Sequence, residues 1–79
     1  MQVMIGERYR HYKNQKEYIV IALGKNHDTL GDVVVYQGDY DDPKFGHHPV
    51  WVREIDDFTA MVDKDGQMVA RFERIVADF

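Results

Sequence analysis

The run Tyr18-Ile19-Val20-Ile21-Ala22-Leu23 offers no polar residue to either side of the chain. An amphipathic surface helix would interrupt such a run with polar positions. A stretch this short, rich in β-branched and aromatic residues, instead reads as a strand covered on both faces. It is also far too short to cross a membrane, which takes about 20 apolar residues in a helix. The chain has 79 residues and no cysteine. It can therefore build one core but not two, and has neither disulfides nor cysteine–zinc sites to hold it together. A buried strand must find its neighbours among the remaining segments of the same small domain, which we take to span residues 1–79.

Those neighbours are legible. Arg8–Tyr12 alternates rings with polar groups and reads as a strand, followed by the polar connection Asn14-Gln15-Lys16. Gly24–Asp28 breaks the central strand with turn-forming residues. Val33–Gln37 is a further strand, and Val50–Ile55 another, with Trp51, Arg53 and Ile55 on one side and Val50, Val52 and Glu54 on the other. Gly38–Pro49 reads as a long loop, and Asp56-Asp57 as the cap of a short helical turn through Phe58. The C-terminal part fits two templates. Asp65-Gly66 between Met61-Val62 and Met68-Val69 is a hairpin signal, whereas Met68, Val69, Phe72, Ile75, Val76 and Phe79 also follow the spacing of an amphipathic helix. The expected architecture is mainly β: a small, partly open antiparallel barrel of about five strands, SH3-like, with at most a short helical turn.

Apolar residues make up 44% and charged residues 30%, which is globular composition and excludes disorder. Met1–Gly6 lacks the charged and long apolar regions of a signal peptide, so a soluble, cytoplasmic domain is expected. The net charge of −4 is unevenly spread. Residues 1–25 carry a net +3, residues 26–49 a net −4 and the rest −3. A basic first segment can attract phosphates, or simply meet acidic groups on adjacent strands.

The segments Tyr9-Arg10-His11-Tyr12-Lys13, Glu17-Tyr18 with Val20, Thr29-Leu30, Val34-Val35-Tyr36, Trp51-Val52-Arg53, Phe58 and Arg71-Phe72 with Ile75 together resemble one small bacterial family, domain of unknown function 1653. The likeness runs from Tyr9 to Ile75. It implies a β-rich domain and carries no established activity with it. Family members often have proline at the position of Ala70, which favours a hairpin strand there over a helix. The chain departs from the family's pattern at Asn26-His27, where the histidine is displaced by one position, and at Glu54, where proline is common.

Three constellations bear on function. Tyr9, Arg10, His11, Tyr12, Tyr36, Trp51, Arg53 and Arg71 combine rings with guanidinium groups, a set that binds planar or anionic ligands by stacking and bidentate hydrogen bonding. The competing reading makes Trp51 a core residue and pairs Arg10 and Arg53 with neighbouring carboxylates. His11, His27 and Asp28 supply the chemistry of a general acid–base pair, though no motif sets their geometry. His47 and His48, with Asp41 and Asp42, suit an adventitious Zn²⁺ or Ni²⁺, although neighbouring residues rarely both ligate one ion in a dedicated site. No glycine-rich phosphate motif is present, and with no serine or cysteine there is no Ser or Cys nucleophile. The expectation is a non-catalytic binding module for a peptide, a nucleic-acid segment or a small anion, with no cofactor, no dedicated metal and no membrane contact, monomeric or weakly dimeric. The alternatives are a small hydrolase-like enzyme built on His11, His27 and Asp28, and a self-association domain.

Overall fold

The computed structural model describes residues 3–76. Nine strands and one helical turn follow in order: β1 (Arg8–His11), β2 (Glu17–Lys25), β3 (Asp32–Gly38), β4 (Asp41–Asp42), β5 (Gly46–His47), β6 (Val50–Glu54), α1 (Ile55–Phe58), β7 (Met61–Lys64), β8 (Gln67–Ala70) and β9 (Phe72–Ile75). Five of them form one antiparallel sheet in the order β6-β3-β2-β1-β9, curled into a half-barrel, while β4–β5 and β7–β8 are separate two-stranded hairpins.

Register explains which side chains are inside. Tyr9 lies opposite Tyr18, Val20 opposite Tyr36, Tyr36 opposite Trp51, and His11 opposite Phe72. Directly paired residues share a face, so these side chains converge on the concave side. Val20 and Ala22 pair with Tyr36 and Val35 in turn, leaving Ile21 as an extra residue in β2. Such a bulge sharpens the local twist and helps the sheet curl.

The core is unusually aromatic. Val3, Tyr9, Tyr18, Val20, Val34, Tyr36, Phe58 and Phe72 form one buried cluster, with Tyr40, Trp51 and Ile55 packed against it. The single turn of α1 lays Phe58 over the open side, edge-on to Tyr9 at 5.0 Å and stacked on Phe72 at 4.2 Å.

The expected strands are present, with two local corrections, and the favoured C-terminal hairpin is there as well. Asp56 and Asp57 sit inside the first turn of α1 and make no side-chain cap; Glu54 stands at the N-cap. Gly38–Pro49 is no irregular loop but contains the β4–β5 hairpin, with Asp41 opposite His47 and Asp42 opposite Gly46. The C-terminal segment is extended, and the helical template fails. Asp65 and Gly66 both take positive φ, 52° and 85°, as a tight two-residue hairpin turn requires. Phe79, the last member of that template, lies outside the described residues.

The basic first segment is largely paired on the convex side. Arg8 contacts Glu17 and Asp39, Arg10 contacts Glu17 at 3.6 Å, and Lys25 contacts Asp32.

Glu7 ties the N-terminal segment to β9. Its carboxylate accepts hydrogen bonds from the Met4 backbone N–H and the Tyr9 hydroxyl, both at 2.8 Å, and meets Arg74 at 3.0 Å. The Met4 N–H, with the Tyr9 hydroxyl and Arg74, holds Glu7 below the usual carboxylate range, and burial with the Glu7 hydrogen bond pushes the Tyr9 phenol up to about 12. A depressed carboxylate stabilises the fold above its unfolded-state value, about 4.3 for Glu, and that stabilisation is lost as pH falls through the folded value. Chemical denaturation between pH 7 and 2.5 should therefore show a loss of stability in acid that is visibly shallower in Glu7→Gln.

Candidate functional site

An open cleft of about 280 Å³ lies on the concave side beside the core, lined by His11, Asn14, Lys16, Tyr18, Tyr36, Tyr40, Asp42, Trp51, Arg53 and Phe72. Its walls come from three parts of the chain. Alternation along β6 turns Trp51 and Arg53 inward, while Val50 and Val52 face solvent, 52% and 63% exposed. The end of β1 supplies His11, and the β1–β2 turn supplies Asn14 and Lys16. The β4–β5 hairpin folds back so that Tyr40 meets both Tyr18 and Trp51.

A chain of hydrogen bonds fixes the rings. The Asn14 amide donates to the Tyr18 hydroxyl, which bonds to the Tyr40 hydroxyl, and the Trp51 Nε1–H donates to that same Tyr40 oxygen, each at 3.2 Å. Burial, together with the bond to Tyr40, raises the Tyr18 phenol to about 12, so it stays neutral. The Lys16 ammonium lies 4.3 Å from the centre of the Tyr40 ring. Arg53 donates from Nε to the Tyr36 hydroxyl at 3.2 Å and sits over Phe72 at 5.7 Å.

His11 packs edge-on against Phe72 at 4.9 Å. Burial first, and then the charges of Arg53, Arg71 and Lys13, push its pKa down, so the ring is neutral at neutral pH. Its Nδ1 accepts from the Lys13 backbone N–H at 3.2 Å, which leaves the proton on Nε2. Asp42 brings the only carboxylate among the described residues of the lining, but it accepts from the backbone N–H groups of Lys44 and Phe45 in the hairpin turn, and these bonds, with the charge of Lys16, lower its pKa.

Of the ring-and-guanidinium set, the cleft gathers His11, Tyr36, Trp51 and Arg53. Arg71 occupies the corner between β8 and β9, where its charge reaches His11 and its Nε is buried without a hydrogen-bond partner. Three members fall elsewhere. Tyr9 is a core residue, 2% exposed, because its register places it beneath Phe58. Arg10 points to the convex side and pairs with Glu17. Tyr12 lines a neighbouring hollow of about 130 Å³ with Arg10, His11, Lys64 and Glu73. Arg53 is not paired with an aspartate. Among the described residues no carboxylate lies within ion-pair distance of Arg53, Arg71 or Lys16.

Sequence reasoning missed Asn14, Lys16, Tyr40, Tyr18, Asp42 and Phe72 as lining residues. The first three sit in segments read as polar connections, and only the folding back of the β4–β5 hairpin brings Tyr40 to Trp51. A larger hollow of about 470 Å³ lies between Met4–Arg8 and Arg74–Val76. Its charged groups already satisfy other contacts, Arg74 with Glu7 and Arg8 with Asp39.

The catalytic constellation does not assemble. The backbone N–H of His11 donates to the Lys16 carbonyl next to the start of β2, whereas His27 and Asp28 follow its far end. Nine residues of strand separate those ends by roughly 26 Å. The turn there is organised by Asn26, whose Oδ1 accepts from the N–H groups of Asp28 and Thr29 and whose amide donates to Glu54 at 3.1 Å. Asn26 and Glu54, two positions where the chain departs from the pattern it resembles, are thus hydrogen-bond partners.

A family model described as "Protein of unknown function (DUF1653)" matches residues 7–74. The chain belongs to that family. No curated protein and no solved structure matches it. The DUF1653 match covers every lining residue of the cleft, from His11 to Phe72. No helix among the described residues is long and apolar enough to cross a membrane.

Proposed function

We propose that this DUF1653 chain is a non-catalytic binding module whose aromatic cleft receives an oxyanion, either a small anion or the carboxylate or phosphate of a peptide or nucleic-acid segment. The observation that carries this reading is that Arg53 and Lys16 line a ring-walled cleft with no carboxylate within ion-pair distance among the described residues. Arg buries well only when paired, and here the pairing is left to a ligand. Arg53 uses Nε on Tyr36, and its terminal nitrogens are suited to the two oxygens of a carboxylate or phosphate. Trp51 and Tyr40 offer faces for a planar body attached to that group.

Trp51 is the only tryptophan, so its emission reports on the cleft alone. Titration with inorganic phosphate, a mononucleotide and a short acidic peptide should perturb that emission saturably for at least one of them. Arg53→Ala should weaken that binding about tenfold or more, in keeping with the loss of a charge-assisted hydrogen bond, while costing stability only about 1 kcal/mol. An affinity unchanged in Arg53→Ala, with a collapsed melting temperature, would make Arg53 scaffold.

One observation favours a second reading, self-association. The outer strand β6 has a free edge, and Val50, Val52 and Ile21 present aliphatic surface on the convex side beside it. Light scattering across a hundredfold concentration range tests this, and a constant monomer mass would remove it.

A further inference from the structure

The hairpin that delivers Tyr40 to the cleft also carries a cluster that the cleft does not use. In extended backbone, neighbouring side chains point to opposite faces. His48 departs from that geometry with φ of +46°, and the imidazoles of His47 and His48 come to lie stacked, 3.9 Å between centroids and 17° between planes. The His48 backbone N–H donates to the Tyr40 carbonyl at 3.0 Å, which fixes this turn against the start of the hairpin. Across the ladder, Asp41 pairs with His47, and its Oδ1 stands 2.5 Å from His47 Nδ1. One ligand atom from each of Asp41, His47 and His48 lies within 4.8 Å of the others. Asp39 stands alongside, with Oδ1 3.7 Å from His48 Nε2 and Oδ2 held by Arg8 at 2.8 Å.

We propose that Asp41, His47 and His48 form a binding site for a divalent first-row transition ion of the zinc or nickel type, with Asp39 or water completing the shell. Two imidazoles and a carboxylate are the donor set such ions take. Tetrahedral bonds of 2.0–2.1 Å need donor atoms about 3.3 Å apart, so the widest separation has to close by roughly 1.5 Å at most while the Asp41–His47 pair opens by about 0.8 Å. An imidazole binds a metal in its own plane, so the stacked rings also have to turn apart, and Asp41 and His47, about three-quarters exposed, have the freedom to rotate without moving the ladder. The cation would take the place of the hydrogen bond between His47 Nδ1 and Asp41 Oδ1. The surrounding segment favours it electrostatically, since residues 26–49 carry a net −4.

The test uses the full chain without a histidine tag, stripped by a chelator and titrated with ZnCl₂ by calorimetry, and separately with NiCl₂. The expected result is one ion per chain with a dissociation constant at or below roughly 0.1 mM. Saturating metal should raise the melting temperature by several degrees, because only the folded hairpin presents the set. His47→Ala and His48→Ala should each weaken binding at least tenfold, and the ring ¹⁵N signals of both histidines should shift on metal addition in the unmutated chain. His27→Ala, on an exposed turn elsewhere, should leave affinity unchanged. Far-UV circular dichroism of the metal-free variants, and the milder His47→Gln, separate loss of ligands from loss of fold. The proposal fails if no binding is seen up to 1 mM metal, if His27→Ala weakens binding as much as His47→Ala, or if both hairpin variants keep the original affinity.

Discussion

Phe72→Ala is expected to cost about 3–5 kcal/mol, enough to leave a domain of this size largely unfolded at modest temperature. Phe72 is 4% exposed and touches rings from every side of the core. It stacks on Phe58 at 4.2 Å and meets His11, Tyr18 and Tyr36 edge-on at 4.9, 5.8 and 5.3 Å. Removing it leaves a void bounded by flat side chains that cannot close around it, and detaches β9 from the ring cluster. For a chain this short each kcal/mol corresponds to about 4–8 °C, so thermal denaturation should show a drop of at least roughly 12 °C. A drop below about 5 °C would mean that the Phe72 ring does not sit where its neighbours place it.

The second large effect is expected at Gly38. This residue is buried in β3, and its backbone N–H donates to the Pro49 carbonyl at 2.8 Å. Its φ is not in the left-handed region, so glycine is not there for backbone freedom. It is there for space: a Cβ at Gly38 would run into the Tyr40 ring, with Cζ at 2.8 Å and Cδ1 at 2.9 Å. Gly38→Ala must push Tyr40 out, breaking its bonds to Trp51 and Tyr18, at a cost of about 1–3 kcal/mol. Trp51 emission should shift to the red, and any ligand of the cleft should be lost. On a Tyr40→Ala background the same substitution should cost almost nothing, because the collision is gone. An equal cost in both backgrounds would place the strain somewhere other than the Tyr40 ring.

Gly38 and Tyr40 also show where sequence reading reached its limit. Periodicity located β1, β2, β3 and β6 to within a few residues, but β2, expected to be covered on both faces, is covered on one only, with Ile21 and Leu23 40% and 47% exposed. Trp51 and Arg53 were placed on one side of β6 by alternation, and the structure puts both in the cleft. The β4 and β5 strands are two residues each, too short for any pattern, so a structured hairpin read as a loop. Tyr9 and Tyr36 look alike in sequence and both are buried, but only Tyr36 lines the cleft. The helical spacing from Met68 to Val76 reflects no shared buried face. Two strands meet at a corner at Arg71, whose N–H bonds to the Ala60 carbonyl and whose carbonyl accepts from Tyr12, and the spaced residues share no face: Phe72 is buried, while Met68 and Val76 are 63% and 71% exposed. Lys16, in a polar turn, carried no signal that it would lie over a tyrosine ring from a distant hairpin.

The pairing of β1 with β9, which sets Tyr9 across from Arg74, has a consequence for how the molecule comes into being. Contacts between the two ends of a sequence form slowly, because the intervening coil must first be gathered. During translation β1, β2 and β3 emerge and can zip together early. The flank of β1 then stays bare until residues 72–75 have cleared the ribosome. Throughout that interval the nascent polypeptide displays an unclaimed strand margin, open to capture by chaperones or by other newly made copies.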